Sequence, residues 1–298
     1  PPDGAEAVSL YKRTGTPGNY TYTLLATATP PYTTETTHTF TGLTLSAGDV
    51  LVARQTLGGV ESEDSDAVTV LTAALYVESF DTYANQAEFA NAWGAANTGD
   101  AAGVELTSAI IHSCPNAVFF PGVSSGMPLR RYRDLGLGPA GINGTDETPL
   151  WFTFYMYHGN NTNQRNWVEL RRHASGSFSP GVTFQKMYAF GCYNNGATPS
   201  GGGFSGTRYQ FRDYGGSGAL DWRTTENNVS RVNNAWNKMQ IKITTSTTSF
   251  YVNDQLASEI PRVGDAGGFT TIVIGGGLSN ANTPMYIDGI SLSLGQTA

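Results

Sequence analysis

A hairpin late in the chain is marked by strict alternation of apolar and polar residues. Met239, Ile241 and Ile243 fall on one face of an extended strand, and Phe250 and Val252 continue the pattern after a turn rich in Thr and Ser. A side-chain period of two is typical of a strand with one buried face. The segment therefore predicts two antiparallel strands that bury the same face.

Similar alternation, broken by turn residues, extends over most of the chain. A short helix is predicted over 86–93, where Phe89, Ala90 and Trp93 recur at helical spacing. Because 298 residues suffice for two domains, we expect a small all-β domain over 1–73 and a larger antiparallel sandwich over 74–298. The predicted strands are 7–11, 20–28, 38–43, 50–56, 67–71, 76–83, 105–112, 117–120, 150–158, 167–173, 181–190, 208–213, 236–244, 249–252, 270–274 and 285–294.

The small domain resembles bacterial immunoglobulin-like modules. The similarity lies in Leu-Ser-Ala-Gly-Asp at 45–49, Gly-Gly-Val-Glu-Ser at 58–62 and Ala-Val-Thr-Val at 67–70. It implies an Ig-like β-sandwich. Such modules normally have a leading strand or two before the segment that 8–11 resembles, and almost nothing precedes it here. We therefore expect an unpaired sheet edge, filled by preceding chain or by a second copy.

The larger domain resembles concanavalin A-like, laminin-G-like jelly rolls. Its hairpin contains Trp236 and ends in Tyr-Val-Asn-Asp at 251–254, similar to the Trp-x-hydrophobic hairpin ending in Tyr-Val-Asn-Gly of that family. The resemblance implies an antiparallel jelly-roll sandwich. Such domains work outside cells, where they bind glycans, hold partners or build surfaces, and some branches cut polysaccharides.

Composition narrows the classes of partner. The net charge is -7, so the average field repels a nucleic-acid backbone. No apolar run approaches the roughly 20 residues that span a bilayer, and the first residues lack the pattern of a signal peptide. With the two resemblances, these features favour a mature or excised piece of a secreted or cell-surface protein.

A glycan-binding face is predicted on the strand 167–173 and its neighbours. Alternate residues of this strand are aromatic or charged, and a second polar strand and an aromatic loop follow. Aromatic rings stack on sugar rings while charged groups bind hydroxyls. The alternative is that these aromatic residues fill the core or form a protein contact. The candidates are Trp167, Glu169, Arg171, Arg208, Tyr214 and Trp222.

Catalysis is not expected. Glu-Leu-Arg at 169–171 is similar to one motif of alginate-lyase-type jelly rolls, but their Gln-x-His and Tyr-Phe-Lys-Ala-Gly-like strands are absent. Glycoside hydrolysis needs two carboxylates about 5 to 9 Å apart. The only dense acidic run, 61–66, falls in a predicted loop of the small domain, where solvated charges are expected. A polysaccharide-cleaving lyase or hydrolase remains the alternative function.

A structural calcium ion is a further expectation from the jelly-roll resemblance. Such domains often open with Phe-Asp and close with a strand that contains Ile-Asp-Gly, and these positions are 80–81 and 287–289 here. Asp288, with Asp81 or Glu78 and backbone carbonyls, would supply hard oxygen ligands. The alternative is that these carboxylates cap turns or stay solvated.

Cysteines and glycosylation sequons complete the candidate sites. Cys114 and Cys192 could form one disulfide, which would stabilise the fold by roughly 4 kcal/mol, or remain two buried thiols. In a glycosylating host the acceptor asparagines would be Asn19, Asn143, Asn160 and Asn228.

The sequence thus predicts a non-catalytic protein that acts by contact. One hypothesis is adhesion or glycan binding by the jelly roll. The other is a structural subunit of a surface layer or filament, assembled from copies of the chain through the exposed edge of the small domain.

Overall fold

The computed structural model describes residues 5–29, 40, 42–43, 45, 49–69, 75–96, 103–113, 115–121, 129–159, 165–179, 184–193, 206–214, 222–262, 267–276 and 284–295. The chain divides into two compact units, Pro1–Ala73 and Ala74–Ala298. Strands dominate both units, which confirms the predicted all-β class. Within these ranges no helix is long and apolar enough to cross a bilayer.

The first unit contains a five-stranded antiparallel sheet. Its order is β2-β1-β3-β4, and β5 also pairs with β3. Most of the predicted strand 38–43 lies outside the described residues, and the Ig-like assignment stays a prediction. The strands are β1 (Ala7–Thr16), β2 (Asn19–Ala28), β3 (Val50–Leu57), β4 (Val60–Glu61) and β5 (Val68–Thr69).

Two acids of the run 61–66, Glu61 and Asp64, are bound to the sheet, whereas Glu63 and Asp66 are exposed as expected. Asp64 accepts hydrogen bonds from Arg54 at 2.8 Å, Tyr22 at 2.9 Å and Arg13 at 3.2 Å. Glu61 accepts a hydrogen bond from the Tyr11 hydroxyl. Burial opposes ionisation of Asp64, but the hydrogen bonds from Arg54, Tyr22 and Arg13 outweigh it and lower its pKa. Glu61 and Asp64 therefore link neighbouring strands of the sheet.

The second unit is a sandwich of two antiparallel sheets. One has seven strands in the order β15-β14-β13-β12-β19-β10-β7. The other has eight, in the order β18-β17-β16-β11-β20-β9-β8, with β6 also paired to β20. The elements are β6 (Tyr76–Glu78), α1 (Gln86–Ala92), β7 (Gly94–Ala95), β8 (Glu105–Thr107), β9 (Ala117–Phe120), β10 (Arg130–Asp134), β11 (Leu150–His158), β12 (Arg165–Arg172), β13 (Lys186–Tyr193), β14 (Gln210–Tyr214), β15 (Arg223–Thr224), β16 (Ala235–Ile243), β17 (Thr247–Val252), β18 (Gln255–Pro261), β19 (Thr271–Gly276) and β20 (Met285–Leu294).

The hydrophobic core lies between these two sheets. Phe152 and Phe154 of the eight-stranded sheet belong to the same buried cluster as Val168 and Leu170 of the seven-stranded sheet. Because successive side chains of a strand point to opposite faces, the residues between these positions face away from the core. The seven-stranded sheet therefore has an outer face, which contains the predicted glycan-binding residues of β12.

Candidate functional site on the outer face of the seven-stranded sheet

Small residues on both sides of β12 make room for its large outward side chains. Trp167 pairs with Gly191 of β13 and Gly275 of β19. Glu169, two positions along, pairs with Ala189 and with a valine of β19. The indole and the carboxylate of β12 therefore lie over a floor of small side chains.

A cluster of three aromatic rings forms one end of this face. The ring centres of Trp167 and Trp222 are 4.7 Å apart, and Tyr193 stacks on Trp222 at 4.7 Å with an angle of 16° between the rings. Trp167 and Trp222 are only 4% and 8% exposed, whereas Tyr193 is half-buried. Trp167 and Trp222 thus form the packed base of the cluster, and Tyr193 is its more accessible ring.

Glu169 is buried and ion-paired at the centre of the face. Its carboxylate accepts hydrogen bonds from the Arg171 guanidinium and from the Trp167 indole N–H. Burial opposes ionisation, but the charges of Arg171 and Arg130 and these two hydrogen bonds outweigh it, so the pKa of Glu169 is lowered. The residue is an ionised anchor for its neighbours.

Four arginines of this face each lie over an aromatic ring. The guanidinium carbons are 4.5 to 5.8 Å from the ring centres, within the range of a cation–π contact. The face therefore alternates rings with positive charges. The pairs are Arg130 with Trp167, Arg165 with Tyr193, Arg171 with Phe184, and Arg212 with Tyr214.

Tyr214 lies on this face, and the Arg208 side chain is bound to backbone at the edge of the sheet. Tyr214 pairs across the sheet with Met187, which in turn pairs with Arg171, so all three lie in one row. The guanidinium of Arg208 instead donates to the backbone carbonyls of Thr225 at 2.8 Å and the next residue at 2.9 Å. Arg208 precedes β14 and holds the loop that follows β15, so its part in glycan binding stays a prediction.

His173 follows Arg171 by two positions, so the alternation predicts that it lies on the same face. Its ring is buried against Phe178, with 5.2 Å between the ring centres. Neither ring nitrogen has a hydrogen-bond partner among the described residues. Burial and the charge of Arg171 lower the pKa of His173, although Asp134 opposes the shift. The imidazole is therefore neutral at pH 7 and packs as an aromatic ring.

The three predicted calcium ligands are occupied by hydrogen-bond donors. Asp288 accepts the backbone N–H groups of His112 at 3.0 Å and Ser113 at 2.9 Å. Glu78 accepts from the Tyr83 hydroxyl, the Trp93 indole and the backbone of residue 80, and Asp81 accepts from the backbone of residue 116. Among the described residues no three acidic, histidine or cysteine side chains are grouped to hold a metal. These carboxylates act as hydrogen-bond acceptors that stabilise turns, and the calcium site stays a prediction.

Cys192 is buried in the core and unpaired among the described residues, and burial raises the pKa of its thiol to about 11. Its predicted partner Cys114 lies outside the described residues, so the disulfide stays a prediction. Of the sequons, Asn19 and Asn228 are exposed, Asn143 accepts a hydrogen bond from Arg262 through its side-chain oxygen, and Asn160 lies outside the described residues.

Arg130, Arg165 and Tyr193 belong to this face but are missing from the residues predicted as its site. Arg165 and Tyr193 face each other across β12 and β13. A sequence signal was present for Arg165 and Arg130, because Arg165 precedes Trp167 by two positions and Arg130 alternates with Tyr132. The predicted strand 167–173 began after Arg165, the predicted strand 181–190 ended before Tyr193, and no strand was predicted around Arg130.

Comparison with known proteins shows distant structural similarity. No protein-family profile matches the chain, and no curated protein matches it in sequence. Among solved structures, a sialidase covers 85% of this chain at 8% identity with a TM-score of 0.45, and the chain spans only 22% of that protein. The carbohydrate recognition domain of Emp47p covers 76% of this chain at 9% identity, with a TM-score of 0.44 and 97% of its own length matched. Domain 4 of the Geobacillus stearothermophilus arabinanase AbnA, solved with arabinotriose, covers 76% at 10% identity, with a TM-score of 0.44 and 95% of its length matched.

Proposed function

We propose that the second unit binds a glycan on the outer face of its seven-stranded sheet and does not cleave it. The observation that carries this proposal is the cluster of Trp167, Tyr193 and Trp222, which lies outside the core and carries Arg130 and Arg165 over its rings. Rings supply apolar surface for sugar C–H groups, and guanidinium N–H groups supply donors for hydroxyls.

In this proposal the half-buried residues of the face contact the sugar. Tyr193, Tyr214, Arg165 and Arg212 are partly exposed, whereas Trp167 and Glu169 are buried beneath them. A rigid base that holds partly exposed rings lowers the entropy cost of binding, because those rings are ordered before the ligand arrives. The buried pair therefore positions the contact residues.

The carboxylates of this face support recognition over hydrolysis. A glycosidase needs one acid kept protonated and a second carboxylate opposite it. Glu169 is held ionised by Arg171, and Asp134 accepts hydrogen bonds from the Phe178 backbone and the Thr271 hydroxyl, each at 2.8 Å. Both carboxylates are engaged in structural contacts.

A glycan array followed by calorimetry tests this proposal. The double variant Tyr193→Ala/Tyr214→Ala removes two partly exposed rings, and we expect it to weaken binding of the array hit by about tenfold or more. The matched control is Tyr251→Ala, which removes a partly exposed ring from the opposite sheet, where it packs against Trp151. Binding that survives in the double variant, or the release of shortened sugar from the hit, would overturn the proposal.

Self-association is the second candidate function, and one feature of the first unit favours it. Four of its large apolar side chains are exposed: Leu24 at 54%, Leu57 at 62%, Val60 at 70% and Val68 at 64%. Leu57 and Val60 pair across β3 and β4, and contiguous exposed apolar surface is typical of contact sites. We propose a secreted or surface-displayed chain whose copies meet through this unit. Light scattering across a concentration series tests it, and a strictly monomeric chain would contradict it.

A further inference from the structure

We infer that the hydrogen bond between His158 and Tyr209 is an acid-sensitive contact between the two sheets of the second unit, and that protonation of His158 loosens the sheet edge that positions Tyr193. This contact goes beyond the proposed function, because no glycan takes part in it.

His158 and Tyr209 connect the two sheets across the core. His158 ends β11 of the eight-stranded sheet, and Tyr209 directly precedes β14 of the seven-stranded sheet. The imidazole Nε2 lies 2.8 Å from the Tyr209 hydroxyl, and the two rings pack edge to face with 5.6 Å between their centres. Both residues are 0% exposed, so water does not reach this hydrogen bond in the closed structure.

The direction of the hydrogen bond follows from the other imidazole nitrogen. Nδ1 lies 3.2 Å from the backbone carbonyl oxygen of Gly159, which can only accept. Nδ1 therefore carries the proton of the neutral ring, and Nε2 accepts a hydrogen bond from the Tyr209 hydroxyl. A protonated imidazole has N–H groups on both nitrogens and cannot accept from Tyr209. Protonation of His158 thus removes the acceptor on which this contact depends.

The surroundings of His158 disfavour its protonated form. The guanidinium of Arg231 acts on the imidazole, and it also lies 5.6 Å from the centre of the Tyr209 ring. Burial and this charge outweigh the hydrogen bond to Gly159 and lower the pKa of His158 to about 4. The neutral ring is therefore part of the closed structure at pH 7.

The other groups that adjoin this contact supply no carboxylate. The Cys192 thiol acts on Tyr209 and is itself neutral, because burial raises its pKa to about 11. The chain stretches 160–164 and 194–205, which follow the ends of β11 and β13, contain no ionisable side chain. The register partners of His158 on the flanking strands are uncharged: Ala235 of β16 and Met285 of β20.

The edge of the seven-stranded sheet that carries Tyr209 also positions Tyr193. β15 and β14 form this edge. Gln210, the first residue of β14, accepts the backbone N–H of Tyr193 at 2.9 Å through its side-chain oxygen, and Arg231 donates to the same oxygen. Arg231 also donates to the backbone carbonyl of residue 208 at 2.7 Å. Movement of Tyr209 therefore acts on the Tyr193 backbone through its neighbour Gln210.

Acid should open this edge between about pH 6.5 and pH 4. An open state takes up the proton at the ordinary histidine pKa of about 6.5, whereas the closed state takes it up only at about 4. The closed state is thus fully favoured above pH 6.5 and loses that advantage as the pH falls. Each unit of pKa difference corresponds to about a tenfold change in the equilibrium, so opening should be about twentyfold more frequent at pH 5 than at pH 7.5.

Hydrogen exchange of backbone amides tests this contact without a ligand. The Tyr193 amide is protected by Gln210, and its protection, corrected for the intrinsic exchange rate, should fall about tenfold or more from pH 7.5 to pH 5. The amide of Thr244 donates to Thr247 at 2.9 Å, beyond the end of β16 that is remote from His158, and should keep its protection.

Matched substitutions separate this contact from a general effect of acid. His158→Gln keeps an acceptor for the Tyr209 hydroxyl and takes up no proton in this range, so protection of Tyr193 should be equal at both pH values. His112→Gln makes the same change at an exposed histidine, which stacks on Tyr155 with 3.6 Å between ring centres, and should respond to acid as wild type does. If His158→Gln does not fold, Tyr209→Phe replaces it and should lower the protection of Tyr193 already at pH 7.5.

The outcomes are distinct. A fall in Tyr193 protection in wild type and His112→Gln, but not in His158→Gln, would support the inference. An equal fall in His158→Gln, no fall in wild type, or full protection in Tyr209→Phe at pH 7.5 would overturn it. A histidine proton resonance, assigned by its loss in His158→Gln, should titrate with a pKa of about 4, and titration near pH 6.5 would also overturn it. None of these results bears on the proposed function, which the glycan array tests at neutral pH.

Discussion

Glu169 and Arg171 form an ion pair within one strand of the seven-stranded sheet, two positions apart and on the same outer face. Their side chains are only 3% and 8% exposed, so both charges are withdrawn from water. The Trp167 indole N–H donates a further hydrogen bond to the same carboxylate, which offsets part of the cost of removing it from water. A buried pair of this kind fixes the position of its neighbours more than it adds net stability.

Removal of one partner should therefore destabilise the second unit strongly. Glu169→Gln keeps the size and an acceptor for Trp167 but leaves the charge of Arg171 buried and unpaired. We expect the free energy of unfolding of this unit to fall by about 3 kcal/mol, measured by denaturant titration at pH 7. Glu226→Gln is the control, because Glu226 is exposed and Arg208 binds its backbone carbonyl, which the substitution leaves in place. Equal stability of the two variants would contradict the role of the pair.

The Glu169 carboxylate should make the stability of the second unit depend on pH. The pKa of Glu169 is lower in the folded state than in the unfolded chain, so its contribution is present above the unfolded value of about 4.3 and is lost as pH falls through the folded pKa. Wild-type stability should fall below about pH 4 more steeply than that of Glu169→Gln. If the stability of wild type and of Glu169→Gln falls in parallel from pH 5 to 2, the result would argue against this ion pair.

Asp213 should affect the pH dependence of stability in the direction opposite to Glu169. It is buried, one of its carboxylate oxygens has no hydrogen-bond partner among the described residues, and burial raises its pKa to about 6 despite the charges of Lys186, Arg223 and Arg262. An acid with a raised folded pKa favours folding below its unfolded pKa and loses that contribution as pH rises through the folded value.

The expected result is that Asp213→Asn stabilises the second unit at pH 7.5. The difference from wild type should shrink as the pH falls from 7.5 to 5, because the wild-type carboxyl becomes neutral in that interval. Thermal denaturation at both pH values measures it. A variant that is less stable than wild type at pH 7.5 would show that the ionised form of Asp213 is needed.

Long strands with clearly different faces could be predicted from the sequence. β11, β16 and β20 match their predicted bounds within a residue or so, because each alternates core residues with polar or aromatic ones. β10 was missed because Arg131 points into the core, where it donates to the backbone carbonyl of Trp93 at 2.7 Å and lies over the ring of Phe89. A buried arginine hides the apolar period on which such predictions depend.

The turn after Val252 shows a second limit. Asn253 and Asp254 both have positive φ, 49° and 64°, as a two-residue type I′ hairpin requires, and strand β18 follows at once. Asn-Asp is a weaker turn signal than Asn-Gly, so the following strand was not predicted.

The outward residues of β12 could be predicted from alternation, but their burial could not. Trp167 is packed against Trp222, which lies just before β15 and whose approach depends on tertiary structure. Likewise, the oxygens of Asp288 are filled by backbone N–H groups of residues 112 and 113, which are more than a hundred positions away in sequence. Long-range contacts of this kind leave no local pattern.

The role of Asp288 yields a test of the calcium expectation. Asp288→Ala leaves the amides of His112 and Ser113 without their acceptor, and we expect a loss of about 1 to 3 kcal/mol in unfolding free energy. Addition of EDTA to the wild-type protein should leave its melting temperature unchanged. If EDTA lowers the melting temperature and calcium restores it, the carboxylates bind metal in solution and the turn-stabilising role is wrong.

The floor of small residues under Trp167 gives the last prediction. Gly275 has φ of +127°, and a Cβ atom there would lie 2.0 Å from the carbonyl oxygen of Leu129. Gly136 also has positive φ, +70°, but no atom lies within 4 Å of its would-be Cβ. Gly136→Ala should cost about 1 to 2 kcal/mol from backbone strain alone. Gly275→Ala adds a clash with backbone that β10 and β19 hold in register, so its unfolding free energy should fall by clearly more. Denaturant titration of both variants measures the difference, and equal losses would mean that the strands separate enough to admit the methyl group, so that the floor of the candidate site is not rigid.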